Sequence, residues 1–146
     1  MFVFTKILAA GGWRLEAQKK NHQKKRRGQF MSNFKELMVW QKAIDLVTEI
    51  YKITRAFPKE EVFGLVSQMQ RAAVSIPSNI AEGHERNSDK EFAQFLCIAR
   101  GSLAELETQI IIAEKLSYIT KEQRISILNN CYEIGRMING LLKKIN

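Results

Sequence analysis

The chain has 146 residues, 45% of them hydrophobic, which suffices for one domain with a packed core and is too little for two ordinary ones. No apolar run approaches the roughly 18 to 20 residues that span a bilayer, so the sequence reads as soluble, with no membrane partner. The formal charge of +8 suggests a polyanion-binding chain until it is divided: residues 1–30 hold eight Lys and Arg against Glu16, while residues 31–146 hold fifteen against fourteen acids and carry only +1.

Residues 1–30 therefore form a basic extension that is expected to be disordered. A secretory signal fits poorly, since Thr5 and Lys6 interrupt "MFVFTKILAA" and the charges follow the apolar stretch instead of preceding it. Two readings stay open. "KKNHQKKRRG" at Lys19–Gly28 is a flexible arm for RNA phosphates, bound by releasing counterions; or translation starts at Met31, with Arg26-Arg27-Gly28 encoded by a purine-rich ribosome-binding site. Residues 31–146 are read as one folded unit.

From Phe34 the apolar residues recur at spacings of three and four, which defines helix 1. It has two stripes, one of Leu37, Trp40, Ile44, Val47 and Tyr51, the other of Val39, Ala43, Leu46, Ile50 and Ile53. That is more apolar surface than one neighbour contact needs. The helix should stop near Ala56, because Phe57 precedes a proline. Pro58 suits the first turn of helix 2, with Glu60 and Glu61 at the positive end of its dipole. Val62, Val66, Met69, Ala73, Ile76 and Ile80 form its stripe, which keeps phase across Pro77 and predicts a single kinked helix. Gly83 is the expected C-terminal cap within a polar break, and His84 a solvated loop residue.

Ser88 with Glu91 has capping-box spacing and opens helix 3 near Asp89. Phe92, Leu96, Ala99, Leu103, Leu106, Ile110 and Ala113 alternate steps of four and three. After "LSYIT", Thr120 and Gln123 form a second capping box before helix 4, whose stripe is Ile127, Cys131, Ile134, Ile138, Leu141 and Ile145, with Lys143 and Lys144 at its negative end. Short connections between long helices predict an all-α, up-down-up-down four-helix bundle with helix 2 kinked at Pro77. A turn near Arg86 and Asn87 places Ala72 opposite Gly101, Ala73 near Ala99 and Arg100, and Pro77 near Leu96, so small residues including Ser102 gather where two backbones approach. Pro77 leaves the carbonyl of Ala73 without its amide partner, and Ser75, Ser78 and Asn79 are the candidates to stabilise the opened turn. Glu82, Arg71, Arg100 and Glu105 are placed to pair across this hairpin or to reach a neighbouring subunit.

The chemical inventory argues against an enzyme. Neither histidine, His22 or His84, follows a glutamate by three residues, so no di-iron site is formed, and no Gly-rich phosphate loop or serine or cysteine nucleophile with a spaced histidine appears. Cys97 and Cys131 read as buried thiols, consistent with a reducing, cytoplasmic compartment. No cofactor, metal or catalytic residue is expected. Arg71, Arg86, Lys90, Arg100, Lys121, Arg124 and Arg136 are the candidates to contact nucleic-acid phosphates.

"FKELMVWQKAIDLVTEIYKIT", "QMQRAAVSIPSNIAEGHER" and "FLCIARGSLAELETQIIIAEKLSYI" closely resemble the bacterial four-helix-bundle proteins encoded within intervening sequences of 23S ribosomal RNA genes. The resemblance runs from about Ser32 to Ile145 and omits residues 1–30. It implies a left-handed bundle that assembles as a homopentamer without enzymatic activity. It extends more distantly to the accessory variability protein of diversity-generating retroelements, which implies nucleic acid, ribosomal RNA among others, as a partner. The second stripe of helix 1 fits self-association independently. The rival reading is a protein-interaction scaffold with no nucleic-acid contact.

Overall fold

A computed structural model describes residues 33–145, together with Leu15 and Gln18. The chain divides into two units, Met1–Asn33 and Phe34–Asn146. The expected disordered basic extension, residues 1–30, and the expected start at Met31 lie outside the described residues, where only Leu15 and Gln18 are seen as exposed helical positions.

The second unit is built from α1 (Met38–Thr54), α2 (Leu65–Glu85), α3 (Asp89–Lys115) and α4 (Lys121–Ile145), with 3-10 turns at Phe34–Glu36 and Lys59–Glu61. Among the described residues there is no strand, so the unit is all-α. Each helix packs on its neighbours in sequence and α1 also packs on α4, which closes a ring around a single core; the α2–α3 contact is the most extensive.

The predicted stripes account for most of that core. All seven residues of the helix 3 stripe, Phe92 to Ala113, are buried, and each large apolar side chain withdrawn from water contributes on the order of 1.5–3 kcal/mol. In α4, Ile127, Cys131, Ile134 and Ile138 are buried, but Leu142 replaces Leu141 and Ile145 in the last turns, where those two are half-buried. An α-helix drifts about 20° per heptad, so by the fourth turn a neighbouring position faces inward. Of the two α1 stripes, Val39, Ala43, Leu46 and Ile50 enter the core, while Ile44 and Tyr51 stay exposed and Trp40 and Val47 lie half-buried.

Both helix 2 boundaries differ from the sequence reading. Pro58 caps the 3-10 turn Lys59–Glu61, and α2 starts only after Gly64. The carboxylate of Glu61 then replaces a conventional cap: Leu65 N–H donates to its Oε2 at 3.0 Å, and the Tyr118 hydroxyl donates to its Oε1 at 3.0 Å. One side chain thereby serves a free amide at the start of α2 and ties the α1–α2 connection to the α3–α4 connection. The acceptor and its charge raise the Tyr118 pKa. Val62, expected in the core stripe, sits in this connection 49% exposed, beside Phe63 at 97%.

At the other end Gly83 is not a cap. The helix continues to Glu85, with Arg86 N–H bonded to the Gly83 carbonyl at 3.2 Å, and Gly83 is buried inside the last turns. A Cβ built there would lie 2.5 Å from Phe95 Cβ and 3.0 Å from Phe92 Cδ2. Gly83 is therefore present for close approach of α2 to α3, not for a positive φ. The Thr120–Gln123 box forms as read, with exchanged bonds of 2.8 and 3.1 Å, while at Ser88 the cap forms, Glu91 N–H donating to Ser88 Oγ at 3.2 Å, and the Glu91 carboxylate takes the Ser88 hydroxyl at 2.8 Å in place of its backbone N–H. Between them α3 ends in a Schellman turn, with Tyr118 N–H on the Ala113 carbonyl at 2.9 Å and Ser117 N–H on that of Glu114 at 2.8 Å. Ser117 holds a φ of 61° where glycine is usual.

Candidate functional site

α2 runs through Pro77 without a break, and Pro77 is buried. A short polar chain lies beside it. Asn79 Nδ2 donates to the Ser75 carbonyl at 2.7 Å and to Ser75 Oγ at 2.9 Å; Ser75 Oγ shares a hydrogen bond with Ser102 Oγ at 2.8 Å; Ser102 Oγ donates to the Ile98 carbonyl at 3.2 Å. Of the three candidates to stabilise the opened turn, Asn79 bonds both the carbonyl and the hydroxyl of Ser75 across Pro77. The pairing also lies about four residues further along α3 than the turn-centred register: Ser75, opposite Ile98 in that register, meets Ser102. Side chains lean toward the N-terminus of their own helix, so in an antiparallel pair both partners carry higher numbers than their backbone height suggests. Gly101 in consequence faces open space, with nothing within 4 Å of a built Cβ, and Gly83 takes the close approach expected of it. The continuation of the Ile76, Ile80 spacing to Gly83 was the signal that could have found it.

Among the described residues, none of the four charged residues placed to pair across the hairpin or to reach a neighbouring subunit pairs across the hairpin. Glu82 accepts from Arg86 Nη2 at 2.7 Å within α2, Glu105 accepts from Gln109 Nε2 at 3.2 Å within α3, and Arg100 Nη1 donates to Asn139 Oδ1 of α4 at 3.2 Å. Arg71 is exposed with no partner among the described residues. Gln109 is 4% exposed, and its Oε1 has no hydrogen-bond partner among the described residues.

The seven basic candidates are spread along the length of the bundle. Arg86 and Lys90 flank the α2–α3 turn, and the Arg86 guanidinium lies 4.9 Å from the Phe95 ring centre besides pairing with Glu82. Lys121 and Arg124 lie at the opposite end, where α4 begins, and Arg124 Nε pairs with Glu114 Oε2 at 2.5 Å. Arg100 and Arg136 lie on α3 and α4 between them, and Arg71 on α2. Lys90, Lys121, Arg136 and Arg71 are exposed; only Arg86 and Arg124 of the seven are in ion pairs among the described residues.

Two further readings are corrected. His84 lies inside α2 with its ring edge-on to Phe34 and Phe92, at centroid distances of 6.5 and 5.9 Å, and Nδ1 3.4 Å from Glu85 Oε1. Cys97 is exposed, because the residue after a core position on α3 faces outward, whereas Cys131 is buried. Burial, with Glu107 and Glu49 nearby, pushes the Cys131 thiol up to about 12, which leaves it protonated and unreactive. Burial also raises the Glu107 carboxyl. Among the described residues no three His, Cys, Asp or Glu side chains converge to hold a metal ion, and no helix is long and apolar enough to cross a membrane. Among the described residues the surface carries cations along three helices and, on α1, the exposed apolar side chains of Ile44 and Tyr51.

A family model described as 23S rRNA-intervening sequence protein matches residues 35–140. A solved structure, described as a protein with unknown function from the S23 ribosomal protein family of Bacteroides thetaiotaomicron VPI-5482, is similar at 27% identity and a TM-score of 0.67, covering 72% of this chain and 95% of its own. No curated protein matches.

Proposed function

The chain belongs to the 23S rRNA-intervening sequence protein family, and from that membership we propose that it is a non-enzymatic, self-associating bundle that binds structured RNA through phosphates. The observation that carries the reading is the apolar flank of α1, with Ile44 and Tyr51 exposed after Val39, Ala43, Leu46 and Ile50 have filled the core. Exposed apolar surface in a repeated helical stripe favours burial against another copy. We take the assembly as the homopentamer implied by the resemblance, acting in the cytoplasm. Assembly also answers the charge difficulty: residues 31–146 carry only +1, but a ring repeats Lys90, Lys121, Arg71 and Arg136, and repeated weak phosphate contacts gain through effective concentration.

The bundle is read as left-handed and up-down-up-down, with a bend at Pro77. Cross-helix partners support the alternation, since their numbers run in opposite directions: Lys42 with Glu133 and Glu49 with Asn130 between α1 and α4, Arg100 with Asn139 and Glu114 with Arg124 between α3 and α4. The missing amide of Pro77 supports the bend. The distant likeness to the accessory variability protein of diversity-generating retroelements extends the proposed ligand to other nucleic acids. A scaffold without nucleic-acid contact is the second reading, favoured by the carboxylate partners of Arg86 and Arg124.

The test is a salt titration of binding to 23S ribosomal RNA fragments, on the full chain and on the chain starting at Met31, with mass by light scattering. Affinity that falls steeply with salt for both chains supports the proposal. Binding by the full chain alone assigns it to the basic extension, and absence of binding by either at low salt leaves the scaffold.

A further inference from the structure

Besides its core stripe, α4 carries a second one on its outward side: Tyr132, Arg136, Gly140 and Lys143 follow at steps of four, four and three, and all are exposed. Residues at this spacing share one helix face. That face borders α3, because Asn139, next to Gly140, accepts a hydrogen bond at 3.2 Å from Arg100 Nη1. Arg100, Arg136 and Lys143 have no ion pair among the described residues. The acids nearby are engaged or half-buried. Glu133, the only acid of α4 besides Glu122, pairs with Lys42 of α1, Glu49 of α1 accepts from Asn130, and on α3 Glu105 accepts from Gln109 while Glu107 is half-buried.

Two glycines at this level have no role inside the chain. Gly101 and Gly140 are exposed in the interiors of α3 and α4, each beside one partner of the Arg100–Asn139 bond. A Cβ built on either would meet nothing within 4 Å, and neither has a positive φ. Glycine inside a helix is disfavoured against alanine, and here neither backbone conformation nor packing within the chain accounts for it. What bare backbone offers is close approach from outside.

We propose that this face of α3 and α4 holds a single-stranded segment of RNA, with Arg100, Arg136 and Lys143 on its phosphates, a base stacked on Tyr132, and the strand passing over Gly101 and Gly140. Tyr132 to Lys143 is eleven residues, about 16 Å of helix, the length of roughly five stacked nucleotides at about 3.4 Å each. Cations along a track with an aromatic platform beside them are the composition that single strands take. A closed duplex has no free base for Tyr132, whereas loops and bulges do. A second copy presenting the same face would set like charges together. The inference rests on the RNA-binding reading and gives it a place on the chain.

The experiment measures binding of a fluorescently labelled single-stranded RNA decamer, and of the same sequence as a duplex, to the full chain by anisotropy over a salt series. The basic extension is common to every variant, so differences between variants report the bundle. Tyr132→Ala should weaken single-strand binding about fivefold or more and leave duplex binding within about twofold, while Tyr132→Phe, which keeps the ring, stays within about twofold for both. Arg136→Gln and Lys143→Gln should each flatten the slope of log affinity against log salt by about 0.7, the value for one phosphate of a single strand. Lys52→Gln, at an exposed position of α1, should leave the slope unchanged. Gly140→Leu, in open space, should keep helicity by circular dichroism and weaken single-strand binding several-fold. A wild-type chain that binds RNA, with affinity and slope unmoved by Tyr132→Ala, Arg136→Gln and Lys143→Gln, overturns this track and leaves the RNA-binding reading intact. A Gly140→Leu chain changed in mass by light scattering but not in RNA affinity assigns the face to contact between copies and also overturns the track. A wild-type chain that binds neither RNA at low salt overturns both.

Discussion

Replacing Gly83 by alanine sets two effects of known size against each other. Alanine in a helix interior is favoured over glycine by about 1 kcal/mol. Against this, the new Cβ would lie 2.5 Å from Phe95 Cβ and 3.0 Å from Phe92 Cδ2, where carbon pairs prefer 3.5–4.0 Å. The Phe92 ring can turn aside, but Phe95 Cβ is fixed to the α3 backbone and moves only if the helices separate by roughly an ångström. That separation would loosen buried Ile80 and Phe92 and the edge contact of His84 with Phe92. Overpacking of this kind costs about 1–3 kcal/mol. The net expectation is a loss of about 1–2 kcal/mol, seen as a Tm lower by about 4–8 °C with helicity by circular dichroism unchanged. The identity of the contact atom is tested by double variants. Phe95→Ala keeps the Cβ and should not relieve the defect, whereas Phe95→Gly removes it and should show a favourable coupling with Gly83→Ala. A Gly83→Ala chain as stable as wild type or more so would refute the close-approach reasoning.

Ser117→Gly should raise stability by about 0.5–1 kcal/mol in chemical denaturation, since it removes the left-handed cost at the α3 terminus, which exceeds the added entropy of glycine in the unfolded chain. Ser88→Ala should lower it by about 1 kcal/mol through loss of the α3 cap. Ser75→Ala and Ser102→Ala should each cost about 1 kcal/mol or more by leaving a partner hydroxyl unpaired, and the double variant less than their sum, which a double-mutant cycle measures. A thiol reagent should modify Cys97 quickly in the native chain and Cys131 only on unfolding. Because folding raises the Cys131 pKa from 9.0 to about 12, the thiol's contribution to stability is fully present below pH 9 and declines as the unfolded thiol ionises, up to about pH 12. The alkaline loss of stability should be shallower in Cys131→Ala.

The interior of α3 was legible because seven residues in steps of four and three specify one face of one helix, and local periodicity alone decides that. α1 was legible only in part: its two stripes are equivalent in pattern, and which one enters the core depends on where α2 and α4 lie. The N-terminus of α2 was misplaced because proline at N1 and proline before a 3-10 turn have the same local signature; the deciding bond, Tyr118 to Glu61, joins residues far apart in sequence. Gly83 was read as a cap by composition, although its spacing from Ile76 and Ile80 placed it on the buried face. The exposure of Phe63 had no sequence signal, since exposure of a single aromatic is a product of tertiary packing.

Closure of the ring through α1 and α4 has a consequence for the order in which the chain is made. During synthesis α2 and α3 can dock as soon as both have emerged, joined by a tight turn and sealed at Gly83 and Ser75. α1 emerges first yet is completed last, since one of its packed sides waits for the final helix to leave the ribosome. A nascent chain halted before α4 therefore displays bare leucine and isoleucine of α1 and α3, the species most exposed to mispairing and to chaperones.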